Sequence, residues 1–199
     1  MNRGSLFPLR WEAVNKYSKK LHDRIVANFK YLDDDYWDDL KFSATSSRKG
    51  SNNRPHFDET EMGYLFPDGN TTREILYIVG QFPHTYAVGT NVRPHIHFIQ
   101  EVTEQPTFKI DYRWHNNGAA PVVGFTTLAA IDFAFTWVSG DLVQIAKFPE
   151  IDGTGMGISS VFEARIYRDD DDVSGDVLYK EFDIHFINNG RGSYKEYEK

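Results

Sequence analysis

Arg93-Pro94-His95-Ile96-His97-Phe98-Ile99-Gln100-Glu101 is the stretch on which the reading of this chain turns. Pro94, Ile96 and Phe98 alternate with His95, His97 and Glu101, and successive side chains of a β-strand project to opposite faces. One face of this segment is therefore apolar, and the other carries both histidines and the carboxylate. The polar face is either a metal site or the wetter side of a sheet.

The same period of two recurs downstream. Phe108, Ile110, Tyr112 and Trp114 alternate with Lys109, Asp111, Arg113 and His115. Phe182, Ile184 and Phe186 alternate with Glu181, Asp183 and His185. Shorter apolar runs at 75–79, 133–138, 142–148 and 159–168 are bounded by Gly, Ser, Asn or Asp. At least seven strands joined by turns, with no helical pattern between them, predict an all-β fold. The expected architecture is an antiparallel β-sandwich or jelly roll.

Upstream the pattern changes. Pro8 suits a first helical turn, and Trp11, Val14, Leu21, Ile25 and Leu32 recur at three-to-four spacing, widened by Val26 and Phe29. This predicts an N-terminal amphipathic helix, docked either on its own domain or on another chain. Tyr36–Phe42 reads as a short strand or clamp. Residues 43–70, rich in Ser, Asn, Gly, Pro and Asp, read as an extended arm. The expected organisation is a helix and attachment segment at 1–35, an arm at 36–72 and a sandwich body at 73–199. The partner-facing candidates are Trp11, Val14, Leu21, Ile25, Phe29, Tyr36 and Trp37.

Bulk properties remove several function classes. The 199-residue chain carries a formal charge of -7, which speaks against a surface built for nucleic acid or anionic membranes. It contains no cysteine, so disulfides, thiol nucleophiles and thiolate metal sites are excluded. No run approaches the roughly 18–20 apolar residues of a membrane span.

Three motifs bear on chemistry. Gly89, His95, His97 and Glu101 fit G-x5-H-x-H-x3-E and resemble the first half of the cupin metal motif; the resemblance implies a small metal-dependent β-barrel enzyme. The second half is matched only by His185 and Asn189, without the glycine and proline that the cupin pattern places nearby. His95, His97, Glu101 and His185 are thus the metal candidates, weighed against a row of polar side chains on a sheet face. Gly153-Thr-Gly-Met-Gly157 lacks the strand–helix context of a phosphate cradle and reads as a loop. Asp169–Asp172 and Asp176 lack the ligand spacing of an EF-hand and read as a hairpin tip.

A second resemblance covers residues 36–199. Trp37-Asp38-Asp39-Leu40, Arg93-Pro94-His95-Ile96-His97-Phe98, Gly175-Asp176, Glu181-Phe182-Asp183-Ile184-His185-Phe186 and the stretch from Gly192-Ser193 to Glu196-Tyr197-Glu198-Lys199 resemble, in order, a family of tailed-bacteriophage virion structural proteins. That resemblance implies a non-enzymatic particle component, a capsid decoration or a head–tail or tail-associated subunit. It would be assembled in the host cytoplasm, with capsid, portal, collar or tail proteins as partners and a homo-oligomer, such as a trimer, as its state. Neither cofactor nor catalytic residue is expected. A tail receptor- or glycan-binding module is the remaining alternative, since 15 Phe, 11 Tyr and four Trp offer stacking surfaces.

Overall fold

The structure is a computed structural model that describes residues 18–24, 36–50, 54–67, 73–100, 106–133, 140–169 and 175–190. Its strands are β1 (Tyr36–Ser43), β2 (Arg48–Lys49), β3 (His56–Asp58), β4 (Gly63–Phe66), β5 (Leu76–Gln81), β6 (Arg93–Gln100), β7 (Phe108–His115), β8 (Thr126–Ala129), β9 (Asp132–Phe133), β10 (Gly140–Lys147), β11 (Val161–Arg168) and β12 (Val177–Asn188). They form two antiparallel sheets. The larger runs β3-β4-β12-β6-β10-β9, with β1 beside the C-terminal half of β12. The smaller runs β2-β5-β11-β7-β8.

Alternation explains the packing. Ile96 and Phe98 from β6, with Phe182, Ile184 and Phe186 from β12, turn inward and are essentially inaccessible. Phe108, Ile110 and Trp114 from β7 meet them from the other sheet with Phe162, Ala164 and Ile166 from β11. Aromatic rings close the gap between the sheets: Phe98 lies 5.1 Å from Phe108, and Phe82 stacks on Trp114 at 4.5 Å. The buried Trp114 indole donates to Ser160 Oγ at 2.8 Å, so its polar edge is satisfied inside the core.

One irregularity sets which residues face out. In β12, Tyr179 lies opposite Phe98 and Glu181 lies opposite His97, so two steps on β12 match one step on β6. Lys180 is the extra residue of a β-bulge. Inward positions are odd-numbered before it (Val177, Tyr179) and even-numbered after it (Phe182, Ile184, Phe186). The bulge thereby hands Glu181, Asp183 and His185 to the outer face.

Residues 36–50 and 54–66 depart from expectation. They are not an arm outside the body, because β1, β3 and β4 belong to the larger sheet and β2 to the smaller one. The physical reason is that these strands are mostly very short and their pairing partners are remote: β4 pairs with the start of β12, and β1 with its end. Phe42, on β1, inserts against Gly80 of β5, where a Cβ would collide with the Phe42 ring. The described part of the N-terminal helix, 18–24, is exposed along its whole length. Trp11, Val14, Ile25, Phe29, Val26 and Leu32 lie outside the described residues. Among those described, no helix is long and apolar enough to cross a membrane.

Candidate functional site

The outer face of the larger sheet carries the candidate site, and the register builds it. Directly opposed residues of an antiparallel pair share a face. Asp183 lies opposite His95 and Glu181 opposite His97, while His185 lies opposite Arg93. On the other flank of β12, Asp39 lies opposite His185 and Lys41 opposite Asp183. On the far side of β6, Lys147 lies opposite His95 and Ile145 opposite His97. Four strands therefore place one polar grid on one surface, and the Phe148-Pro149-Glu150 segment walls it. The result is a concave pocket of about 580 Å³.

Three atoms converge at its floor. His95 Nε2 lies 3.1 Å from His97 Nε2, and the two lie 3.4 and 3.3 Å from Asp183 Oδ2. Asp183 and His95 are buried, and His97 is partly open to the pocket. Asp183 Oδ1 is also buried, and a side-chain hydrogen bond links the Asp183 and Glu181 carboxyls. Burial alone would raise the Asp183 pKa; hydrogen bonds from His95 and His97 outweigh it and hold the carboxyl well below the usual range. Glu181 is pushed the other way, first by burial and then by the Asp183 charge beside it.

The rim is made of pairwise contacts. His185 Nε2 lies 3.0 Å from Asp39 Oδ1, and its ring centre is 4.4 Å from that of His95. Burial, then the neighbouring His95, lowers the His185 pKa against the opposing pull of Asp39. Arg93 Nε donates to Glu150 Oε1 at 2.6 Å, and its guanidinium stacks over Trp37 at 4.4 Å.

The site thus gathers His95, His97 and His185, as their shared outward parity suggests. Glu101 lies outside the described residues. Asp183 was not among the sequence candidates. The signal for it was the outward Glu181-x-Asp183-x-His185 row, which mirrors the outward His95-x-His97 row on another aromatic-rich strand. Tyr36 and Trp37 sit at the start of β1, both largely exposed. The glycine-rich segment is a loop held against the body: a Cβ on Gly153 would strike the Thr90 carbonyl, and Asn116 ties the loop through Gly155 O at 2.8 Å and Gly157 N at 3.1 Å. Residues 170–174 of the acidic hairpin lie outside the described residues.

No family model matches the chain, and no curated protein matches it. Among solved structures it is similar to a carbohydrate-binding module, CBM36, in complex with calcium and xylotriose. That match has a TM-score of 0.43 and 10% identity, covering 73% of this chain and 98% of the module. It is also similar to the CBM36-1 domain of a multidomain xylanase from the hindgut metagenome of Trinervitermes trinervoides (TM-score 0.42, 10% identity, 74% and 96% covered). A third is the enzymatically active domain of bacteriophage CBA120 tailspike protein 4 (TM-score 0.33, 8% identity, 77% and 18% covered). These likenesses assign neither a ligand nor a residue role to this chain.

Proposed function

We propose that this chain is a non-enzymatic structural subunit of a tailed-bacteriophage particle, working through contacts with its own copies and with capsid, collar or tail neighbours. The observation that carries the reading is the unpartnered helical segment 18–24. Leu21 belongs to its apolar seam yet is 61% exposed, so that seam does not dock on its own sandwich at this point. A second copy of the same segment is its occupant, because a seam of heptad spacing is self-complementary. β1 adds a second surface: among the described residues it is paired on one side only, and it carries Tyr36 at 50% and Trp37 at 46% exposure. The ordered resemblance of residues 36–199 to virion structural proteins supplies the particle context. The jelly-roll form of the body, with the helix as an appendage, belongs to the same proposal. It is supported by the way the chain passes between sheets from β4 to β5, β5 to β6 and β6 to β7.

Light scattering on the full chain and on residues 36–199 tests this. The full chain should be an oligomer, and the shortened chain should be a monomer with an unchanged melting temperature. A monomeric full chain would overturn the self-association. Absence of the protein from purified particles, checked by mass spectrometry, would overturn the particle role.

A further inference from the structure

We propose that His95, His97 and Asp183 form a site for one divalent first-row transition-metal ion, with its remaining coordination positions open to the pocket. The inference does not depend on the particle role above.

Geometry comes first. The three ligand atoms are separated by 3.1, 3.3 and 3.4 Å, close to an equilateral triangle. An ion about 2.1 Å from each would see ligand–metal–ligand angles of about 95° to about 108°, between the octahedral and tetrahedral values. It would lie only about 1 Å out of the ligand plane at such bond lengths. One side stays free, as in a two-histidine, one-carboxylate facial site. That free side meets the pocket through His97, the more accessible of the two histidines.

Proton counting gives an independent reason. If both Nε2 atoms carry hydrogens, each can donate to Asp183 Oδ2, but two N–H groups then face each other at 3.1 Å. If one Nε2 is bare it accepts from the other, and its lone pair then faces the carboxylate oxygen. Either arrangement around a carboxylate leaves one edge of the triangle repulsive. A cation at the centre makes all three ligand contacts attractive at once. His185–Asp39 and Arg93–Glu150 close as ordinary pairs, which sets the three-way convergence apart.

Ligand type selects the class of ion. Imidazole nitrogen suits zinc, nickel, cobalt, copper and iron(II), whereas calcium and magnesium prefer all-oxygen shells. Glu181 offers a further carboxyl on the same face, opposite His97 in the register.

The test uses the full chain, stripped with chelator and titrated with Zn²⁺ or Co²⁺. The expected result is one ion per chain, and a melting temperature raised by roughly 5–10 °C at free metal about 100-fold above Kd. Equal concentrations of Ca²⁺ or Mg²⁺ should leave it unmoved. His97→Gln, at a position that is not part of the core, should weaken binding by at least about 10-fold while the metal-free melting temperature holds. Asp183→Asn should do the same if it folds, and His185→Gln should keep the stoichiometry. The Co²⁺ visible spectrum should change with His97→Gln and not with His185→Gln. No ion retained, or binding indifferent to His97→Gln, would overturn the site.

Discussion

Deletion of Lys180 should be tolerated, while insertion of one alanine between Phe182 and Asp183 should unfold the last strand. Both changes alter the length of β12 by one residue. Deleting Lys180 removes the bulge and leaves Tyr179 inward, Glu181 outward and Phe182 inward, in step with Phe98, His97 and Ile96 of β6. What is lost is the hydrogen bond from Lys180 Nζ to the Glu61 carbonyl and some fit of the β3–β4 hairpin, under about 2 kcal/mol in all. The insertion instead reverses parity beyond Phe182. Ile184 and Phe186, 0% and 1% exposed, would turn to solvent at about 1.5–3 kcal/mol each, roughly 3–6 kcal/mol together. Asp183 and His185 would turn into an aromatic core, which adds several kcal/mol for an unpaired polar or charged group. The sum is comparable to the whole stability of a typical domain, about 5–15 kcal/mol. Urea unfolding followed by near-ultraviolet circular dichroism separates the two outcomes. Equal damage from both changes would refute the claim that the bulge sets the face of the site.

Two further outcomes follow from the packing and the charges. Gly80→Ala should cost about 1–3 kcal/mol through overpacking against Phe42, and Phe42→Leu in the same molecule should recover part of it; a double-mutant cycle in denaturant without coupling would contradict this contact. Glu163 is raised by burial but lowered more by its bond and charge pairing with Arg113, so its folded pKa is depressed. Its contribution is therefore present above the ordinary carboxylate pKa and lost as pH falls through the folded value. With both side chains partly exposed, Glu163→Gln should cost under about 1 kcal/mol at pH 7, and the gap should narrow progressively as pH falls below the ordinary carboxylate range. A gap unchanged at pH 3 in urea melts would count against the pairing.

How far the sequence foretells this fold depends on strand length. β6, β7 and β12 are eight to twelve residues long, so their alternation declares both strand and face. β3 and β4 have three and four residues, too few for a period to appear, and the Ser- and Asn-rich chain around them reads as an arm. β8, with four residues, escapes for the same reason. The site divides in a similar way. That His95 and His97 share a face follows from the period of two, and that Asp183 and His185 share one follows from the same period. Asp183 as the partner of His95 and His97 does not, because it depends on which strands pair and in what register. The G-x5-H-x-H-x3-E spacing offers Glu101 as the carboxylate on the same stretch, whereas a sheet also brings ligands together across strands. The polar grid is legible only once β12 is set beside β6.

X-ray absorption spectroscopy on the zinc-loaded full chain tests the outward-facing triad most directly. The expected first shell contains two imidazole nitrogens and one carboxylate oxygen near about 2.0–2.2 Å, with solvent oxygen filling the open positions and one imidazole lost in His97→Gln. A shell of oxygens alone, or one unchanged in His97→Gln, would contradict it.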